Sequence, residues 1–210
     1  IYDRKIRESG HMTKFAVSRG PLNIASFLYG TTELMLAMAM APDDVRKGLG
    51  TITEFITDWI SLQMETIPDI DGILILDDII GFLGDEDYRQ FVHPYLKKIF
   101  SSYNVSVRFL HNDAAGLVCA PYLKEAGINL FNFSFNHSFS EMKELTGGEV
   151  TLLGNLPPRD VLAAGSAGDV MNGVREMMHS LEDHSRIIWS CGGGMPPDVS
   201  TENIKAFISA

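Results

Sequence analysis

Two rhythms of apolar positions take turns along the chain. Short unbroken apolar runs, closed by polar or glycine-rich ends, alternate with longer stretches whose apolar residues recur every three or four positions. The first rhythm marks strands buried on both faces, the second helices with one buried face. Lys14–Ser18 reads as a strand ending in Arg19-Gly20-Pro21, followed by helical stretches Leu22–Tyr29 and Thr32–Met40. Pro42-Asp43-Asp44 then opens a long helix, since proline suits the first turn and acids there favour the helix dipole. Its Val45, Leu49, Ile52, Ile56 and Trp59 fall on one helical face.

Asp71–Asp78 is a second strand, closed by two acids, and Asp85–Tyr103 a helix with Tyr88, Phe91, Tyr95, Ile99 and Tyr103 on one side. The alternation continues through strand Ser106–Asp113, helix Ala114–Ala126, strand Asn129–Phe135, helix Ser140–Leu145 and strand Val150–Leu153. It ends with helix Ala167–Leu181, strand Ser185–Ser190 and helix Thr201–Ser209. Six strand–helix units in strict alternation imply a parallel α/β sheet with right-handed crossovers.

An open doubly wound sheet and a closed (β/α)8 TIM-type barrel both satisfy that order. The polar residues discriminate. Nearly every strand carries a chemically loaded C-terminal end: Arg19, Asp77-Asp78, His111 and Asp113, Asn136-His137, Asn155, Cys191. A barrel gathers all its strand ends round one mouth, whereas an open sheet uses mainly those at its switch point. The expectation is therefore one barrel domain over residues 1–210. Six strands are too few to close it, so roughly two N-terminal units are expected before Ile1.

Composition narrows the function classes. The chain has 210 residues, 45% of them hydrophobic and 21% charged, which is a globular balance. Its net charge of −10 argues against nucleic acid or an anionic membrane surface as partner. The longest apolar run, Leu34–Ala41, is too short to span a bilayer, and the start shows no secretory leader. Two cysteines, Cys119 and Cys191, make no disulfide framework, which points to a reducing cytoplasm. An unclosed barrel exposes two sheet edges, so a homodimer is an expected state.

The sharpest chemical pair is His111-x-Asp113. Residues i and i+2 of a strand point to the same side, so an imidazole and a carboxylate face the mouth together. Both are zinc ligands; the same pair also serves to hold a loop. The run Cys191-Gly192-Gly193-Gly194 offers a thiolate as third ligand and a bare backbone for an anion. A small buried cysteine beside a turn fits equally. Of Asp77 and Asp78 only one side chain can face the mouth, there to orient substrate or move a proton. Asn155 either donates to substrate or pins its loop, and His137 is ambiguous. His11, His93, His179 and His184 lie off the strand ends and read as structural. Phe131, Phe133 and Phe135 read as packing.

Five segments together carry a resemblance: Ser18–Leu22 (SRGPL), Asp77–Phe82 (DDIIGF), Phe91–Ile99 (FVHPYLKKI), Leu152–Pro158 (LLGNLPP) and Gly192–Ile204 (GGGMPPDVSTENI). In this order they resemble the uroporphyrinogen decarboxylase superfamily of (β/α)8 barrels, covering about its last two-thirds. The resemblance implies one of two chemistries. True decarboxylases work on a tetrapyrrole without cofactor and carry a His in the last glycine loop, where this chain has Gly193; a tyrosine after Gly-Pro is here Phe27. The other branch moves methyl groups to or from a corrinoid (cobalamin) on a partner protein, using zinc bound by H-x-C and a loop Cys. Here the first motif is His111-x-Asp113, the loop Cys aligns with Gly193, and Cys191 is displaced by two. A sulfur-poor site disfavours a thiol acceptor.

The resemblance thus implies a corrinoid-linked methyltransferase taking a methyl from a small O- or N-methyl substrate. His111, Asp113 and Cys191 would hold zinc, with Asp78, His111 and Asp113 catalytic. Arg19, Asp77, Asn155 and the Gly192–Gly194 loop would bind substrate. The alternatives are a cofactor-free decarboxylase and a barrel that binds a tetrapyrrole or corrinoid without turning it over.

Overall fold

The computed structural model describes residues 2–210, Tyr2 by its backbone alone. A short helix α1 (Tyr2–Glu8) precedes strand β1 (Phe15–Arg19), helices α2 (Pro21–Tyr29), α3 (Thr31–Met40) and α4 (Pro42–Thr66), and strand β2 (Gly72–Leu76). A 3₁₀ turn (Asp78–Phe82), α5 (Asp85–Phe91), α6 (His93–Ser101) and strand β3 (Val107–Asn112) follow. Then come β4 (Leu130–Phe133), α7 (Phe139–Leu145), β5 (Thr151–Leu156), α8 (Ala167–His179), β6 (Ile187–Cys191) and α9 (Thr201–Ser209).

The six strands form one sheet in chain order, β1-β2-β3-β4-β5-β6, all pairs parallel. An order that never reverses has no switch point, which excludes the doubly wound arrangement and leaves part of a barrel. Alternate residues divide between its two sides. Ile73, Ile75, Leu110, Phe131, Phe133 and Leu152 are buried toward the helices, among Leu49, Ile56 and Ile60 of α4 and Leu96, Ile99 and Phe100 of α6. Burial of each contributes about 1.5–3 kcal/mol. The intervening residues line the inner side. There Phe15 and Phe109 meet edge to face at 6.4 Å, and Val17 and Ile188, on the two outer strands, are half exposed. The free edge of β1 is covered at Val17: its N–H donates to Gln63 Oε1, and its carbonyl accepts from Gln63 Nε2 and Trp59 Nε1.

That contact corrects one sequence expectation: Ile60, not Trp59, completes the buried face of α4. The expected helix Asp85–Tyr103 breaks into α5 and α6 at Val92, since Pro94 cannot donate the hydrogen bond that continuity needs. The expected helix Ala114–Ala126 is a run of turns with one 3₁₀ turn at Ala120–Tyr122. Asn112 Oδ1 takes the Ala114 amide and Pro121 again withholds a donor. None of the described helices is long and apolar enough to cross a membrane.

Three helix starts are capped by a serine of their own: the hydroxyls of Ser138, Ser166 and Ser200 cap α7, α8 and α9. Gly20, before α2, has no side chain to offer. Its Cβ position is filled by the carboxylate of Asp77, which accepts from Leu22 N at 2.9 Å and Asn23 N at 3.0 Å. Asp77 is fully buried. That burial raises its carboxyl to about 8, against the amide donors that favour the charged form.

A raised folded-state pKa means that the folded chain takes up a proton the unfolded chain releases. The contribution is complete below the ordinary carboxylate pKa and is lost as pH rises through about 8. Thermal denaturation should show stability declining across that range, and Asp77→Asn should abolish that part of the slope. Asp77→Ala, which strands two buried amides, should cost about 2–4 kcal/mol.

Candidate metal and substrate site at the strand ends

The parallel register of β2 and β3 pairs Leu76 with His111. Two residues further on each strand, Asp78 and Asp113 therefore come level. The Asp113 amide donates to Asp78 Oδ1 at 3.3 Å. His111 Nε2 lies 3.7 Å from Asp78 Oδ1 and 3.7 Å from Asp113 Oδ2. One donor atom from each of the three falls within 4.8 Å of the others. Two donors on a tetrahedral zinc at about 2.0–2.1 Å stand about 3.4 Å apart, so the spacing suits one small cation with a coordination position open.

Arg19 flanks the group. It pairs in register with Leu76 and places a guanidinium nitrogen 3.9 Å from Asp78 Oδ2. Burial pushes the Asp78 carboxyl above the ordinary range, His111 pulls it back and Asp113 raises it again. A cation in the group would relieve this crowding of acids.

The glycine lip closes over Asp113. Gly193 has φ +116°, a conformation side-chain-bearing residues rarely adopt, and a Cβ there would stand 2.5 Å from Asp113 Oδ2. The carboxylate thus fills the space a side chain at 193 would take. Beside it opens a cleft of about 590 Å³ whose walls include Asp113, Phe135, Pro157, Arg159, Gly192 and Gly194.

Cys191 is not part of the group. Its Cα partner is Leu156, and both belong to a buried cluster with Leu162, Val170, Val174 and Ala206 on the helix side. Ser190 takes the inward position. The Cys191 Sγ donates to Gly193 O at 3.2 Å, and burial raises its pKa, so it stays a thiol. The third residue beside His111 and Asp113 is Asp78. Asp77 is likewise no substrate ligand, since its buried carboxylate is occupied by the start of α2.

Asn155 pins a loop: its Nδ2 donates to His137 O, while its buried Oδ1 has no partner among the described residues. His137 continues the tie, with Nε2 2.6 Å from Ala115 O and Nδ1 3.3 Å from Glu141 Oε2. His93 packs against Tyr88 and Tyr122, and His184 against Trp189, away from the mouth.

Two residues escaped the sequence reading. Asn132, the Cα partner of His111, is buried on the inner side and donates to Leu153 O at 2.7 Å and Cys191 O at 3.4 Å. Its signal was a lone amide between Phe131 and Phe133, out of step with both. Arg159 lines the cleft, and only its place after two prolines hinted at that.

Comparison with known proteins agrees with this fold. Residues 4–210 match the family model described as uroporphyrinogen decarboxylase (URO-D). The chain is 27% identical over 177 residues to the uroporphyrinogen decarboxylase of Chloroherpeton thalassium, covering 80% of this chain and 48% of the relative. It is 24% identical over 208 residues to that of Hahella chejuensis, covering 95% and 54%. The chain thus spans about half the length of the curated relatives it matches. Among solved structures, a methyltransferase from Methanosarcina mazei shares the fold, with TM-score 0.82, 21% identity, and 98% of this chain and 60% of that one covered. With a family model matched along nearly its whole length, the chain belongs to the uroporphyrinogen decarboxylase family.

Proposed function

We propose that this protein is a cytoplasmic methyltransferase that moves a methyl group between a small O- or N-methyl substrate and a cobalamin carried by a partner corrinoid protein. The observation that supports this reading is the Asp78–His111–Asp113 group, three metal-ligand side chains converging beside an open cleft. A decarboxylase that needs no cofactor gives no reason for that convergence. Gly193, where a decarboxylase of this superfamily would carry a His, has its side-chain space filled by Asp113.

His111, Asp78 and Asp113 would hold zinc, which when bound supplies Lewis-acid stabilisation to the oxygen or nitrogen that parts with the methyl group. Arg19 steadies Asp78 from the other side. Asn132 holds β4 to β5 and β6 behind His111. The Gly192–Gly194 backbone forms a side-chain-free wall that lets substrate approach. With Cys191 turned toward the helices, the donor set is nitrogen and oxygen only, and a thiol acceptor is the poorer fit.

The second reading, uroporphyrinogen decarboxylase itself, draws on the names of the matched relatives. Anaerobic assay of the purified protein with methylated substrates and cob(I)alamin, followed by absorbance, separates the two. Methyl transfer is expected, reduced about 100-fold or more by His111→Ala. Absence of transfer together with conversion of uroporphyrinogen to coproporphyrinogen would overturn the proposal.

Metal content gives an independent check. Elemental analysis should find about one zinc per chain, lost in His111→Ala and Asp113→Ala and kept in Cys191→Ser. Full retention in both of the first two variants would exclude the site.

A further inference from the structure

The cleft beside Asp113 holds a guanidinium, that of Arg159, with no part in the Asp78–His111–Asp113 group. Arg159 lies one residue past Pro158, at the start of a single π-type turn, and lines the wall facing Asp113 and Gly194. Among the described residues no carboxylate forms an ion pair with it. Asp113, across the cleft, is paired with His111 instead. Asp160 shares the wall and contributes the opposite sign, so an anion gains only from direct contact with the guanidinium, not from the field of the wall as a whole. A guanidinium is a planar fork that fits a carboxylate with two parallel hydrogen bonds.

Between these charged residues the walls are formed by Phe135, Pro157, Pro158 and the glycines 192 and 194. Phe135, 42% exposed, offers a ring, and Pro157 a second apolar surface. An occupant that uses all three features has a flat apolar body, a carboxylate at one end, and its reacting group at the other, near Asp113 and His111. We propose that Arg159 anchors the carboxylate of the substrate, and that the substrate class is a methoxylated aromatic acid. This rests on the methyl-transfer reading for the identity of the reacting group, but the anchoring is a separate matter of binding.

The test is calorimetric titration of the purified protein with 4-methoxybenzoate and, as its neutral counterpart, 4-methoxybenzamide. The acid is expected to bind about ten-fold or more tightly than the amide. Arg159→Gln should erase that preference, and Arg159→Lys should keep part of it. Arg159 is exposed, so an unchanged thermal midpoint will show that the variants are folded. Equal binding of acid and amide, no binding of either, or an acid preference that survives Arg159→Gln would each overturn the inference.

Kinetics distinguish this failure from failure of the methyl-transfer reading. Methyl transfer from neutral methoxy compounds, indifferent to Arg159→Gln, sinks the inference and leaves that reading standing. Arg159-dependent binding of the acid with no methyl transfer from any substrate does the reverse. Where both hold, Arg159→Gln raises KM for the acid about ten-fold and leaves kcat nearly unchanged.

Discussion

The burial of Asp77 decides how the chain leaves β2, and the mouth follows from it. The carboxylate is drawn under the start of α2, where Gly20 makes room and two amides await an acceptor. With Asp77 held on the helix side, the next residue turns toward the mouth, and Asp78 arrives beside Asp113. A helix without a cap of its own and a site acid without a scaffold of its own are thus supported by one adjacent pair of aspartates. The two carboxylates differ in role because one is surrounded by amide donors and the other by His111, Asp113 and Arg19.

Much of the mouth was legible from local pattern. Apolar runs located the strands, and the two-residue period of a strand put His111 and Asp113 on one side. What local pattern could not supply is register between strands. The meeting of Asp78 with Asp113 depends on Leu76 pairing with His111, a contact between residues 35 positions apart in sequence. Cys191 shows the same limit in reverse. A strand read as ending at Ser190 leaves the cysteine on a free loop, whereas one that runs to Cys191 and pairs it with Leu156 fixes it on the helix side. The turns at Ala114–Ala126 are hidden for another reason: the apolar spacing there is helical, and the competing asparagine side chain and proline are weaker signals.

The site is also an electrostatic compromise. In a chain of net charge −10, two carboxylates converge on one imidazole with a single arginine at the edge. Repulsion between the acids costs stability, and that same repulsion is what would make a cation welcome there. Gly193 belongs to this arrangement as much as the charged residues do. Its lack of a side chain lets Asp113 lie under the lip, so the three candidate ligands all stand at strand ends of the sheet, a more rigid support than the loop.

The contact at the edge of β1 carries a consequence of a different kind. The side-chain amide of Gln63 has the donor and acceptor of a peptide group, and it pairs with Val17 as one residue of a neighbouring strand would. Helix α4 therefore imitates a strand at a single point. A true strand arriving at this edge would meet a stopper held by one rotamer and a few hydrogen bonds, removable without unfolding anything. The edge is latched against casual pairing, yet a partner able to offer a whole ladder of hydrogen bonds can lift the latch.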